Sequence, residues 1–316
     1  MDVRKGRTRL ARPWGVGQYP SVNRATFLVA APDQPGLVAR LAGFFYALGL
    51  NILDAGNHSD AGPGAPPRFF MRIVVDLSDL ASPKAQQVLG GSTTRAAMEA
   101  GFARVVETFQ GTWSVGYSDE VAKVAILVTK DPTCLYDLVI RQRSGELPCE
   151  IPVVISNRDL LESVAAAFRI PFFALPIESD RKREQELQVL ELLRGHHVDL
   201  VVLARYMQVL SEEFLAEAPP IINIHHGFLP AFQGARPYHQ AYERGVKMIG
   251  ATAHYATKDL DQGPIIEQDV ARVTHQLGPD QLVRVGRDVE RVVLARAVRA
   301  HLERRIIVEN RRTIIL

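Results

Sequence analysis

"RATFLVAAPDQPGLVARLAGFFYALGLNILDAGNHSD" spans Arg24–Asp60 and sets the plan of the N-terminal part of the chain. Ala25–Ala31 is a short apolar strand candidate. "PDQPG" at 32–36 is dense turn chemistry, because proline presets φ and glycine accepts positive φ. Apolar residues then recur at helical spacing (Leu37, Val38, Leu41, Phe44, Phe45, Leu48), and Gly49 follows as a C-cap. "LNILDAGNHS" reads as a second strand.

Outward from that stretch, a Gly/Pro loop at 62–67 leads to "RFFMRIVVDL" (68–77), whose alternation makes it a third strand. Residues 83–110 predict a second helix with an early break at Gly90–Gly91, and "TWSVGYSD" (112–119) a fourth strand. The order β-α-β-β-α-β is the split-βαβ, ferredoxin-like plan, an antiparallel sheet with two helices on one face. Residues 1–22 show no period, contain Pro13, Gly15, Gly17 and Pro20, and read as a flexible arm.

From Lys123 the pattern changes. "KVAILVT" (123–129) is a continuous apolar strand, followed by a helix over 134–144 and the strand "EIPVVISN" (150–157). A helix around 158–168, "PFFALPI" (171–177), a helix around 181–196 and "VDLVVLARY" (198–206) continue the alternation. "PPIINIHHG", "IGATAHYAT" and "GPIIEQDVARV" follow, and an amphipathic helix near 279–304 is read as closing the chain. Strands alternating with helices predict a mostly parallel, Rossmann-like α/β sheet, whose ligands sit beyond the carboxyl ends of the strands. Charge runs at 178–186 and along the last helix read as solvated helix faces.

The 316 residues hold 47% hydrophobic and 23% charged residues, enough for two ordinary cores. Lys+Arg and Asp+Glu stand at 37 and 35, so no charge excess points to nucleic acid. The two cysteines, Cys134 and Cys149, form no CxxC and suggest a reducing, cytoplasmic setting. No apolar run has the length of a membrane span. The basic N-terminus (Arg4, Lys5, Arg7, Arg9, Arg12) lacks the apolar segment of a secretory signal.

"NIHHGFLPAFQGARPYHQAYERG" (223–245) carries the chemistry. On an extended segment Asn223 and His225 point the same way, while His226 is expected to point to the opposite side, in a supporting role. An amide that stabilises an oxyanion beside an imidazole that moves protons suits an acyl-group reaction. Asp261, before Gln262–Gly263, is placed to strengthen or orient that imidazole or to hold the attacking water, and His254 ends the preceding strand near the same cleft. Each has a plain alternative: strand-end satisfaction for Asn223, a packed histidine for His225, a turn former for Asp261. A metal is disfavoured, since the adjacent pairs His196–His197 and His225–His226 have neither i,i+4 spacing nor a CxxC partner. No GxSxG elbow is present, and Cys134 reads as a buried thiol.

The run "INIHHGFLPAFQGARPYHQAYERGVKMIGATAHYATKDLDQGPIIEQDV" (222–270) resembles the formyltetrahydrofolate deformylases of the folate-dependent formyltransferase superfamily. "PDQPGLVARLAGFFYALGLNILDA" and "RFFMR" resemble that family's ACT domain, and "VISNRDL", "EQELQVLELL" and "DLVVLARYMQVLS" its catalytic half. The resemblance implies an arm at 1–22, an ACT regulatory domain at 23–118 and a formyltransferase-like catalytic domain at 119–316. It implies hydrolysis of 10-formyltetrahydrofolate to tetrahydrofolate and formate, which supplies purine synthesis and balances one-carbon folate pools, with folate as substrate and no cofactor. The catalytic residues it implies are Asn223, His225 and Asp261, the last in the "LDQG" loop. Arg205, Tyr206, Met207, Gln208, Val209 and Leu210 would line the pterin pocket. A homo-oligomer is implied, with an amino-acid effector near Asp33, Gln34, Gly36 and Leu37, where ordinary turn formation is the alternative. Gly227 stands where the family commonly has Ser, which puts that hydroxyl's hydrogen bond in doubt.

Two other readings compete. The resemblance implies that a formyltransferase of this superfamily acting on a phosphate-bearing amine carries a Gly-rich loop after the first strand of the α/β half, where backbone N–H groups approach phosphate, but "VTKDPTCLYDL" (128–138) has no glycine and Pro132 removes an N–H. An amino-acid-sensing protein with an inactive enzyme half is the other, and the intact Asn223/His225/Asp261 set argues against it.

Overall fold

A computed structural model of the chain describes residues 23–61, 64, 66–177, 181–231 and 237–316. The arm at 1–22 and the "FQGAR" portion of the 223–245 motif lie outside the described residues.

The N-terminal sheet is built from β1 (Arg24–Pro32), β2 (Ile52–Asp60), β3 (Arg68–Asp76) and β4 (Thr112–Tyr117), in the order β2-β3-β1-β4 and antiparallel throughout. Alternate residues of β1 face α1 (Leu37–Leu48) and α3 (Arg95–Glu107), where Phe27, Phe45 and Phe102 pack with ring centroids 4.5–5.5 Å apart. All three rings are fully buried, so truncating Phe27 to alanine costs about 3–5 kcal/mol. The second helical stretch is in fact two helices, α2 (Pro83–Val88) and α3. Gly90 and Gly91, at φ 70° and 98°, take the left-handed turn between them, and Ser82 and Thr94 cap the two starts.

The larger sheet has seven strands in the order β11-β10-β9-β8-β5-β6-β7. β5 (Ala122–Val128), β6 (Cys149–Ser156), β7 (Phe172–Ala174), β8 (Leu200–Leu203) and β9 (Ile221–His225) run parallel. β10 (Met248–Tyr255) and β11 (Ile265–Arg272) complete it antiparallel. The apolar run in β5 is explained by burial on both faces. Val124, Ile126 and Val128 pack in one core with α4 (Thr133–Arg143) and α9 (Pro279–Leu302), while Ala125 and Leu127 pack in another with α6 (Lys182–Gly195) and α7 (Glu212–Glu217).

Three expectations need correction. The last helix does not close the chain: β12 (Ile306–Glu309) and β13 (Arg312–Ile315) form a hairpin around Asn310, at φ 56°. That hairpin ties the two sheets together, through Thr313 to the Ile265 carbonyl on one side, and Arg68–Glu309 and Arg312–Asp60 on the other. Next to it Arg304 lies against Gly116 of β4, where a Cβ would fall 1.7 Å from the guanidinium Nε. Second, the charge run at 178–186, of which 178–180 lie outside the described residues, is not wholly solvated where it enters α6, since Gln185 and Glu186 are buried. Third, α9 buries Glu290 completely, because Glu290 lies on the helix face shared with Gly286, Val293 and Ala297. No described helix is long and apolar enough to cross a membrane.

Candidate active site

The parallel strands β5, β8 and β9 end side by side, and their following loops form one rim. A cavity of about 340 Å³ opens there, lined by 205–210, Asn223, Ile224, His225, His226, His254, Asp261 and several apolar neighbours. Asn223 and His225, two apart on β9, both line it. The antiparallel register of β10 places His254 opposite Asn223 and Thr252 opposite His225. Asp261 enters from the β10–β11 loop at φ 56°, a conformation that aspartate tolerates better than most residues. The return of that loop needs Gly263, whose Cβ would lie 1.7 Å from the Tyr255 carbonyl oxygen.

Four polar side chains converge. Asp261 Oδ2 is 3.2 Å from His225 Nδ1, Asp261 Oδ1 is 3.7 Å from His254 Nε2, and Asn223 Nδ2 is 3.2 Å from His254 Nε2. The hydrogen bond from His225 holds the Asp261 carboxyl well below the usual carboxylate range, against the opposing effect of burial. Asp261 is therefore ionised at neutral pH and only accepts, so His225 carries its hydrogen on Nδ1. His225 Nε2 is buried and has no hydrogen-bond partner among the described residues. His254 lies 2.9 Å by Nδ1 from the Tyr255 carbonyl, which also only accepts. That leaves His254 Nε2 to take a hydrogen from Asn223, and this contact fixes which end of the amide faces the histidine.

His226 does not point away as alternation predicts. It lies just past the end of β9, where the extended rule lapses, and its ring stacks on His225 at 5.5 Å and lines the cavity. Burial, with Arg205 and His225 adding, lowers its pKa to about 4, so at neutral pH it is an uncharged wall.

Arg205 to Leu210 all line the cavity, with different side-chain fates. Met207 and Val209 are 53% and 57% exposed and offer apolar surface to a ligand. Arg205, at φ 60°, turns its guanidinium to Asp131 and Glu290 instead. Tyr206 is buried, with its hydroxyl accepting from Gln185 Nε2 at 3.2 Å. The segment is fastened at both ends: Met207 N–H donates to Thr129 Oγ1, and Ser211 N–H to Glu186. The two buried polar residues in the run read as solvated thus support this loop.

Sequence reading missed Thr252 and Gln268. The Thr252 hydroxyl donates to the Gly227 carbonyl and accepts from Leu229 N–H, and Gln268 donates to both Thr252 and the Leu229 carbonyl. The turn after His225 is held this way without a hydroxyl at position 227. The only sequence signal was their strand alternation. Asp33, Gln34 and Gly36 are exposed in the β1–α1 turn and do not line the cavity. Gly36 has φ 90°, as its turn demands, and Leu37 is in the N-terminal core. Among the described residues no group of three or more His, Cys, Asp or Glu is arranged to hold a metal ion.

A doubly wound sheet with an Asn-x-His strand end and a facing aspartate defines the formyl transferase class, and the family model described as Formyl transferase matches residues 122–298. The formyltetrahydrofolate deformylase of Synechocystis is 49% identical over 291 residues, covering 92% of this chain and 98% of that protein. The crystal structure of a formyltetrahydrofolate deformylase from Pseudomonas syringae pv. tomato superposes with a TM-score of 0.85 at 39% identity, covering 95% of this chain and 96% of that one. Glycinamide ribonucleotide transformylase 1 from Symbiobacterium toebii superposes with a TM-score of 0.60 at 30% identity, covering 63% of this chain and 96% of its own. The chain belongs to the formyltetrahydrofolate deformylase family.

Proposed function

We propose that the chain hydrolyses 10-formyltetrahydrofolate to tetrahydrofolate and formate, so supplying formate for purine synthesis and balancing one-carbon folate pools. The observation that carries this reading is the meeting of Asn223, His225 and Asp261 at the wall of a cavity whose other side is the 205–210 loop. Met207, Val209 and Leu210 provide apolar walls for the pterin.

The chemistry follows from the assigned hydrogens. A carboxylate held below its usual range is a poor proton acceptor at neutral pH, so Asp261 orients His225 and stabilises positive charge on it. The free Nε2 of His225 takes a proton as water adds to the formyl carbon. The carbonyl electron pair moves to oxygen, where the second N–H of Asn223 stabilises the oxyanion. When the pair returns, the C–N10 bond breaks, the imidazolium returns its proton to N10, and formic acid leaves and gives its proton to solvent as formate. These steps use side chains and water only.

The test is formate release by purified protein given 10-formyltetrahydrofolate and no amine. Steady release supports hydrolysis. Turnover that begins only when an amine is added means the chain is a transferase.

Regulation and assembly rest on less. The four-stranded sheet and its exposed 33–36 turn support an amino-acid effector and self-association through the ACT-like domain. Two free, buried cysteines suit the reducing cytoplasm. A titration of amino acids against formate release, with the particle mass followed by light scattering, decides both.

A further inference from the structure

One cluster of charged groups beside the cavity takes no part in these steps. Asp131 follows β5 and precedes α4, where doubly wound sheets commonly hold ligands. Its Oδ2 receives Arg205 Nη1 at 3.1 Å and Arg287 Nε at 2.8 Å, and its Oδ1 receives the Thr133 N–H at 3.1 Å. Behind it, Arg205 Nε lies 3.4 Å from Glu290 Oε2, and Tyr238 donates to Glu290 Oε1 at 2.7 Å. Through Tyr238 and His226 the cluster adjoins the ring of His225.

Two guanidiniums therefore face two acidic side chains of the chain itself. The Arg205 side chain is largely covered at 14% exposed, whereas the Arg287 side chain is 44% exposed and reachable. A planar pair of guanidinium groups is the chemistry that otherwise takes up a phosphate. A dianion entering here would have to displace Asp131 from both arginines.

We propose that Asp131 is a specificity-determining residue, an internal anion that occupies the Arg205–Arg287 pair and so denies it to the phosphate of an acceptor amine, leaving water as the acceptor. This deepens the hydrolase reading and rests on it. A phosphate-bearing acceptor is refused because its anion site is already filled by the chain itself, in addition to the missing glycines of the 129–133 loop.

The test uses inorganic phosphate as probe, with no folate present, so its result is independent of whether the chain hydrolyses or transfers. Calorimetric titrations compare the full-length wild type with Asp131→Ala and the isosteric Asp131→Asn, each checked for folding by circular dichroism. The variants are expected to bind phosphate at least about tenfold more tightly than wild type, the scale of one additional charge-assisted hydrogen bond. Adding Arg287→Ala to either variant should abolish that increase. The proposal is overturned if folded variants bind no better than wild type, or if the increase survives loss of Arg287. Should neither variant fold, the wild type decides: phosphate binding by it that Arg287→Ala removes overturns the proposal, and no binding at millimolar phosphate upholds it.

Discussion

Two groups of ionisable side chains flank the same cavity, and they differ in what they leave unpaired. At the β9 rim, Asp261 binds His225 through Nδ1 and leaves Nε2 without a partner among the described residues. At the β5–α4 turn, Asp131 is engaged by two arginines and a backbone N–H, with both oxygens used. Both carboxyls are held below their ordinary range. Asp261 owes this first to His225, while for Asp131 burial opposes the shift and Thr133, Arg205 and Arg287 together outweigh it. The difference teaches that a strong ion pair is not itself a sign of catalysis. The group placed to react is the one whose partner imidazole lines the cavity and keeps a buried nitrogen unengaged among the described residues.

Substitutions should separate the two groups. The largest loss of turnover is expected at the rim: His225→Ala and Asp261→Ala should each lower kcat by about 10²–10⁴-fold, as general acid–base groups do. Steady-state formate release measures this, and a near-normal kcat in both would place the chemistry elsewhere. Asn223→Ala should cost roughly 10²–10³-fold, the scale of one oxyanion donor, with the loss in kcat rather than in KM. The other cluster should fail in a different way. Asp131→Ala leaves Arg205 with a single buried partner and should lower unfolding free energy by about 3–5 kcal/mol, read from urea midpoints. A stability unchanged by Asp131→Ala would show that the pairing is dispensable.

The smallest expected effect concerns acid. His301 sits in contact with Tyr255, its Nδ1 2.7 Å from the hydroxyl, and burial with Arg304 lowers its pKa to about 4. Its unfolded value is the ordinary 6.5, so between these pH values the unfolded chain binds a proton that the folded chain refuses. Stability must therefore fall as pH drops from about 6.5 to about 4, by up to roughly 3 kcal/mol from this group. His301→Gln, which can still pair with Tyr255, should flatten that part of the profile. Equal acid sensitivity in variant and wild type would assign the effect to other groups, His226 first among them.

Much of this was legible from the sequence, for physical reasons that vary by element. The 24–60 stretch could be read because its turn residues and apolar period agree, and the structure keeps β1, α1 and β2 close to those bounds. Asn223 and His225 were legible because strand alternation fixes their shared side, and Asp261 because a left-handed turn before glycine exposes a carboxylate. His226 was misread because alternation was carried one residue past the strand. Glu290, Gln185 and Glu186 were misread because a charged residue in a charge-rich helix looks solvated, while its burial depends on partners far away in sequence. Asp131 and Arg205 lie 74 positions apart, and nothing local announces their pairing. The closing hairpin was missed because its four-residue strands are too short to stand out from the end of a long helix.

The hydrolytic role of the rim is most directly tested by a single turnover of 10-formyltetrahydrofolate in ¹⁸O-labelled water without amine. Formate carrying one labelled oxygen, formed by wild type and suppressed by His225→Ala, is the predicted result. Formate released without label, or no formate until an amine is supplied, would contradict it.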